Sequence, residues 1–179
     1  LIKSMVPHQG GAVADVATGY ENADANTRAL KSLSYFLGAE ITGVCEIPDY
    51  AWYSHGMDGS PIDPYHKYAV VMLIDQGYET MEGASGDDFI SGAQSMRAYM
   101  RGAQIAGIMG ETFRALGFSS RSQTNADSDV LHTPVTLLAG LGELSRIGEV
   151  ILNPFIGPRL KTVVLTTDMP LVPDRMVDF

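Results

Sequence analysis

Cysteine is nearly absent from this sequence: Cys45 stands alone among 179 residues. One thiol cannot build a disulfide framework, a zinc site or an iron–sulfur cluster from this chain alone. Basic residues are also few. Twelve Lys and Arg against 21 Asp and Glu leave a net charge of −9, which argues against a nucleic-acid backbone as partner. No apolar run approaches the length needed to cross a bilayer, and no charged-then-apolar leader opens the chain. Neither a glycine-rich dinucleotide fingerprint nor a phosphate-binding loop follows any apolar run. His8, His55, His66 and His132 are scattered, without a carboxylate or second histidine at metal-ligand spacing.

What is present describes an ordinary globular domain. Hydrophobic residues make up 45% of the chain, and its length is enough to bury a real core. The whole of 1–179 reads as a single domain. Both ends read as trimmed, since the first residue is Leu1 and the chain stops at Asp178 and Phe179 after a proline-rich stretch. In 24–37, Ala29, Leu30, Leu33, Phe36 and Leu37 recur at helical spacing, and Gly38 follows as a stop. The run 39–47 is a strand candidate in which Cys45 is a buried structural thiol. A turn-rich stretch, 48–64, holds Trp52, Tyr53 and His55. The continuous apolar run 68–75 suits a strand buried on both faces.

The clearest element begins near Ser91, which has capping-box spacing to Gln94. Met96, Tyr99, Ala103, Ala106, Gly110, Phe113 and Leu116 then paint one helical face ending at Gly117. That face also carries Gly102 and Gly107, small enough to admit a flat or bulky group; tight helix–sheet packing is the plain alternative. A polar loop, 119–129, follows. Thr133 and Pro134 open another helix, with Thr133 as cap, running toward Gly142. The run 160–167 is a final strand. Helices interleaved with apolar strands indicate an α/β sandwich.

Taken singly, the residues with chemical potential have ordinary explanations. Tyr99 fits a core tyrosine, Arg159 a turn arginine, Asn125 a turn former and His132 a structural histidine. Together, their segments resemble a family. The runs 78–81 (Tyr-Glu-Thr-Met), 94–99 (Gln-Ser-Met-Arg-Ala-Tyr) and 139–148 (Ala-Gly-Leu-Gly-Glu-Leu-Ser-Arg-Ile-Gly) are similar to the core of corrinoid-dependent reductive dehalogenases. So are Gly157-Pro158-Arg159 and the tail 166–174 (Thr-Thr-Asp-Met-Pro-Leu-Val-Pro-Asp), which in that family leads into two ferredoxin-like cysteine motifs. The likeness is specific from 67 to 179 and looser before. Epoxyqueuosine reductases share parts of this architecture, but 94–99 and 140–148 look closer to the dehalogenases.

The resemblance implies an α+β fold, a nitroreductase-like mixed sheet sandwiched by helices, that binds a base-off cobalamin. It implies that Tyr99 faces the cobalt as the catalytic proton donor and that Asn125 lines the substrate pocket. A basic residue near the final strand would pair with the tyrosine; Arg159 matches best and Lys161 is the fallback. It further implies an organohalide substrate and electrons delivered through two 4Fe-4S clusters of the full-length protein, which this chain does not ligate. A small membrane-anchor protein as partner, and residence on the outer face of the cytoplasmic membrane after twin-arginine export, complete the picture of organohalide respiration. This chain alone would be inactive. Two other readings stay open. One is an epoxyqueuosine-reductase-like enzyme acting on tRNA, against which the charge of −9 counts. The other is a non-catalytic corrinoid-binding domain.

Overall fold

The computed structural model describes residues 2–15, 19–83 and 90–177. A four-stranded sheet forms the middle layer. Its strands are β1 (Ile41–Glu46), β2 (Tyr68–Asp75), β3 (Ser120–Gln123) and β6 (Leu160–Thr167), in the order β1-β2-β6-β3. All three pairings are antiparallel. The two apolar runs 68–75 and 160–167 become the inner strands, where both faces are buried; β2 pairs with β6 from Tyr68↔Thr167 to Asp75↔Leu160. A two-residue pair, β4 (Glu143–Leu144) with β5 (Ile151–Leu152), forms a separate hairpin.

Helices cover both faces. The side chains of Val70, Met72, Ile74, Val163 and Leu165 point to α1 (Ala23–Phe36) and α3 (Ile90–Ala115), meeting Leu30, Ala98, Ile105, Ala106, Met109 and Phe113. The alternate residues Ala69, Val71, Leu73, Leu160 and Val164 pack against Trp52, Val130, Val135 and Ala139, which lie on and around α4 (His132–Leu138). The period-two alternation of each central strand therefore assigns every side chain to one helical layer or the other. The short helix α2 (Tyr78–Glu82) links β2 toward α3.

Several expectations need correction. Ser91 is already helical and so is not the cap of α3. Gln94 instead donates to the Gln76 carbonyl and to Thr80 Oγ1, both at 3.0 Å, tying α3 to the β2–α2 turn. Residue 133 lies inside α4, whose cap is Leu131 and carries no side-chain bond. Met96 is exposed; the buried face of α3 is rotated toward Ala98 and Ile105. Two of the small residues on that face, Gly102 and Gly110, serve the helix–sheet contact. A Cβ on Gly102 would lie 3.0 Å from Val163 Cβ and 3.4 Å from Ile74 Cγ1, so the glycine lets α3 settle onto β6 and β2. The polar run 120–123 is β3, a strand missed because its residues do not alternate; it is recruited by pairing with β6. Cys45 is buried as expected, donating to the Val135 carbonyl at 3.4 Å, and burial pushes its thiol up to about 12.

Candidate active site

Strand length opens the site. β3 stops at Gln123, opposite Val164, so the first residues of β6, Leu160 to Val163, have no partner on that side. A cavity of about 540 Å³ fills the gap. Tyr99 of α3, Thr162 of β6, His132 and Thr133 of α4, and Asn125 and Ser128 of the β3–α4 connection all line it. A smaller recess of about 220 Å³ shares Tyr99, Thr133 and Thr162 and adds Lys161 and Glu149. Tyr99 and Asn125 are thus brought to one cavity.

Arg159 is not brought to Tyr99. Its Nε and Nη2 donate to the two carboxylate oxygens of Asp75 at 3.1 and 3.4 Å, and its guanidinium lies 5.3 Å from the Tyr78 ring centroid. The planar fork is committed to a bidentate clamp between the start of β6 and the end of β2. Lys161, the fallback, takes the place beside the tyrosine, with Nζ 5.0 Å from the Tyr99 ring centroid. Position along the chain is the reason, because residues 159 and 161 share a parity but Arg159 precedes β6, at the Asp75 end of β2. Lys161 shares the α3-facing side of β6 with Val163 and Leu165, whereas Thr162 faces α4 and meets His132 Nδ1 at 3.1 Å.

His132, expected to be structural, forms part of the cavity wall. Its Nε2 meets Ser128 Oγ at 3.3 Å, and burial pushes its imidazole down to about 4 from an ordinary 6.5. The unfolded chain takes up this proton at the ordinary value, whereas the folded chain resists it. Stability is therefore full above about pH 6.5 and falls as the pH drops toward about 4. Urea unfolding across that window is expected to give a smaller pH slope for His132→Asn than for the native chain. An unchanged slope would contradict this account.

The turn bearing Asn125 is held from below. Arg121 bridges Asp127 at 2.8 Å and Asp129 at 2.6 Å, and Gln9 donates to Thr124 Oγ1 and to the Asp127 carbonyl at 3.1 and 2.7 Å. Tyr65 donates to Asp129 Oδ2 at 2.6 Å and accepts from Gln123 at 3.0 Å. Burial first, then the bond to Asp129, pushes the Tyr65 phenol up to about 12. That tyrosine is a bracket, not a proton source. Among the described residues, no three His, Cys, Asp or Glu side chains converge to hold a metal ion.

No family model matches the chain. A tetrachloroethene reductive dehalogenase of Dehalobacter restrictus is 30% identical over 109 residues, covering 61% of this chain and 19% of that protein. An epoxyqueuosine reductase from Bacillus subtilis superposes with a TM-score of 0.58 at 14% identity, over 88% of this chain and 49% of its own. That likeness is one of fold alone. The catabolic reductive dehalogenase NpRdhA superposes with a TM-score of 0.94 at 54% identity, over 99% of this chain and 26% of that one. The fold is therefore the α+β sandwich common to epoxyqueuosine reductases and reductive dehalogenases. Within it, the chain is similar to the reductive dehalogenases along almost its whole length, at 54% identity. It spans only about a fifth to a quarter of the length of these dehalogenase relatives, 19% of one and 26% of the other.

Proposed function

We propose that this chain forms the proton-donor wall of a corrinoid-dependent reductive dehalogenase, with Tyr99 supplying the proton that replaces halogen on an organohalide. The observation that carries the reading is Tyr99, which lies beside the Lys161 ammonium in the smaller recess and lines the adjoining cavity together with Asn125. Solved structures point the same way: one reductive dehalogenase structure suggests a mechanism for B12-dependent dehalogenation, and NpRdhA is seen in complex with 3-bromo-4-hydroxybenzoic acid.

The residues fit such a group. The walls shared by the two recesses come from Tyr99, Thr133 and Thr162, with no cluster of metal ligands among the described residues, and would border a cofactor that brings its own metal ligation. A reduced cobalamin, when bound, supplies the two electrons that break the carbon–halogen bond. Carbon then needs one proton, and halide leaves. The Tyr99 hydroxyl gives that proton, and the Lys161 ammonium beside its ring stabilises the phenolate left behind. Asn125 offers an amide hydrogen to the substrate or the departing halide. Neutral His132, bonded through Thr162 and Ser128, keeps a second cation out of the cavity.

The proposal extends to the complete enzyme on family likeness. There, two 4Fe-4S clusters deliver the electrons, a small membrane-anchor protein holds the enzyme, and twin-arginine export carries it to the outer face of the cytoplasmic membrane.

Halide release from 3-bromo-4-hydroxybenzoic acid by the cobalamin-loaded enzyme with a chemical reductant tests the function. Release supports a dehalogenase. Cobalamin absorption without release would instead favour the corrinoid-binding reading, and tRNA binding the epoxyqueuosine-reductase one.

A further inference from the structure

We propose that Met57 is a specificity-determining residue that separates the substrate cavity from a second recess and so limits the length of the organohalide accepted. The inference rests on the functional reading above. Beside the cavity of Tyr99 lies another of about 610 Å³, and Gly56, Met57, Ala126 and Asp127 line both. Of these four, only Met57 has a long side chain free to move. It is 80% exposed, so no packing fixes it.

The backbone beneath is firm. Gly56 donates to the Ser60 carbonyl at 2.8 Å, and Gly59, at φ +80°, donates to the Gly56 carbonyl at 3.0 Å. The Asp58 carboxylate accepts from both Ser60 N and Ser60 Oγ, at 3.0 and 2.6 Å. A braced turn thus presents an unbranched thioether with three rotatable bonds at the boundary between two spaces, where it can fill either. The opposite bank, Ala126 and Asp127, sits in the turn anchored by Gln9 and Arg121 and does not yield. Lys3 also lines the second recess, and its ammonium suits a polar distal substituent. Two-ring aryl halides with such a substituent are the class that would need it.

Dissociation constants for 3-bromo-4-hydroxybenzoic acid and for a biphenyl carrying the same halogenated ring, measured on the cobalamin-loaded enzyme, test the assignment. Relative to the one-ring compound, Met57→Ala is expected to tighten the two-ring compound about tenfold and Met57→Trp to weaken it about tenfold, with Met57→Leu within about twofold of the native ratio. A ratio that moves less than about twofold in both the Ala and Trp variants overturns the divider alone. A native enzyme that binds neither compound contradicts the functional reading, and the divider with it.

Discussion

Turnover of Tyr99→Phe is expected to fall by about 10²–10⁴-fold, the range over which a positioned acid contributes to rate. Substrate affinity should change little, because the ring, its packing on α3 and its contact with Lys161 all survive the loss of one oxygen. The neighbouring groups do not offer a replacement. Tyr65 is bonded to Asp129 and strongly disfavoured as an acid, and the His132 nitrogens are engaged by Thr162 and Ser128. The loss should therefore appear in kcat rather than KM. Lys161→Met keeps the phenol but removes the charge that steadies its anion. Losing that charge beside the phenolate is expected to lower kcat roughly tenfold, about 1.4 kcal/mol. Equal kcat for native and Tyr99→Phe enzymes would remove Tyr99 from its role.

A second large effect belongs to stability. Gly43 lies in the middle of β1, opposite Val71, and a Cβ there would meet the Ala139 carbonyl oxygen at 2.3 Å and Leu141 Cδ2 at 3.1 Å. The first of these atoms is backbone at the end of α4, so no rotamer change relieves the clash. α4 must lift off β1, separating Val135 and Ala139 from the Val71 and Leu73 face of the sheet. Forced overpacking of this kind costs about 3 kcal/mol. Urea unfolding of Gly43→Ala should show a midpoint lowered by about 1–2 M with the slope unchanged. A native-like midpoint would mean that α4 is not seated on the sheet as described.

The sequence made much of this fold legible because its central strands and longest helix are strongly patterned. The bounds of 68–75 and 160–167 coincide with β2 and β6, since continuous apolar runs of that length suit doubly buried strands. β3 was not legible: Ser120, Arg121, Ser122 and Gln123 carry no strand pattern, and only the free edge of β6 makes them extended. The site divided along the same line. Tyr99 stood out as a polar group on an otherwise small and apolar helix face. Counting back by twos from Val163 gives both Lys161 and Arg159, so alternation does not choose between them; only Lys161 lies within β6. No local signal could announce that Arg159 is clamped to Asp75, a partner 84 positions away. His132 and Met57 reach the cavity only through tertiary approach of α4 and the 56–60 turn.

The central claim is that Tyr99 and Lys161 act as one proton-donating unit. Its most direct test is a double-substitution cycle, measuring kcat for Lys161→Met in the native and in the Tyr99→Phe enzyme. Coupling through the phenolate predicts a loss of about tenfold in the native background and less than about twofold once the hydroxyl is gone. An equal loss in both backgrounds would mean that Lys161 serves something other than Tyr99, and would contradict the account.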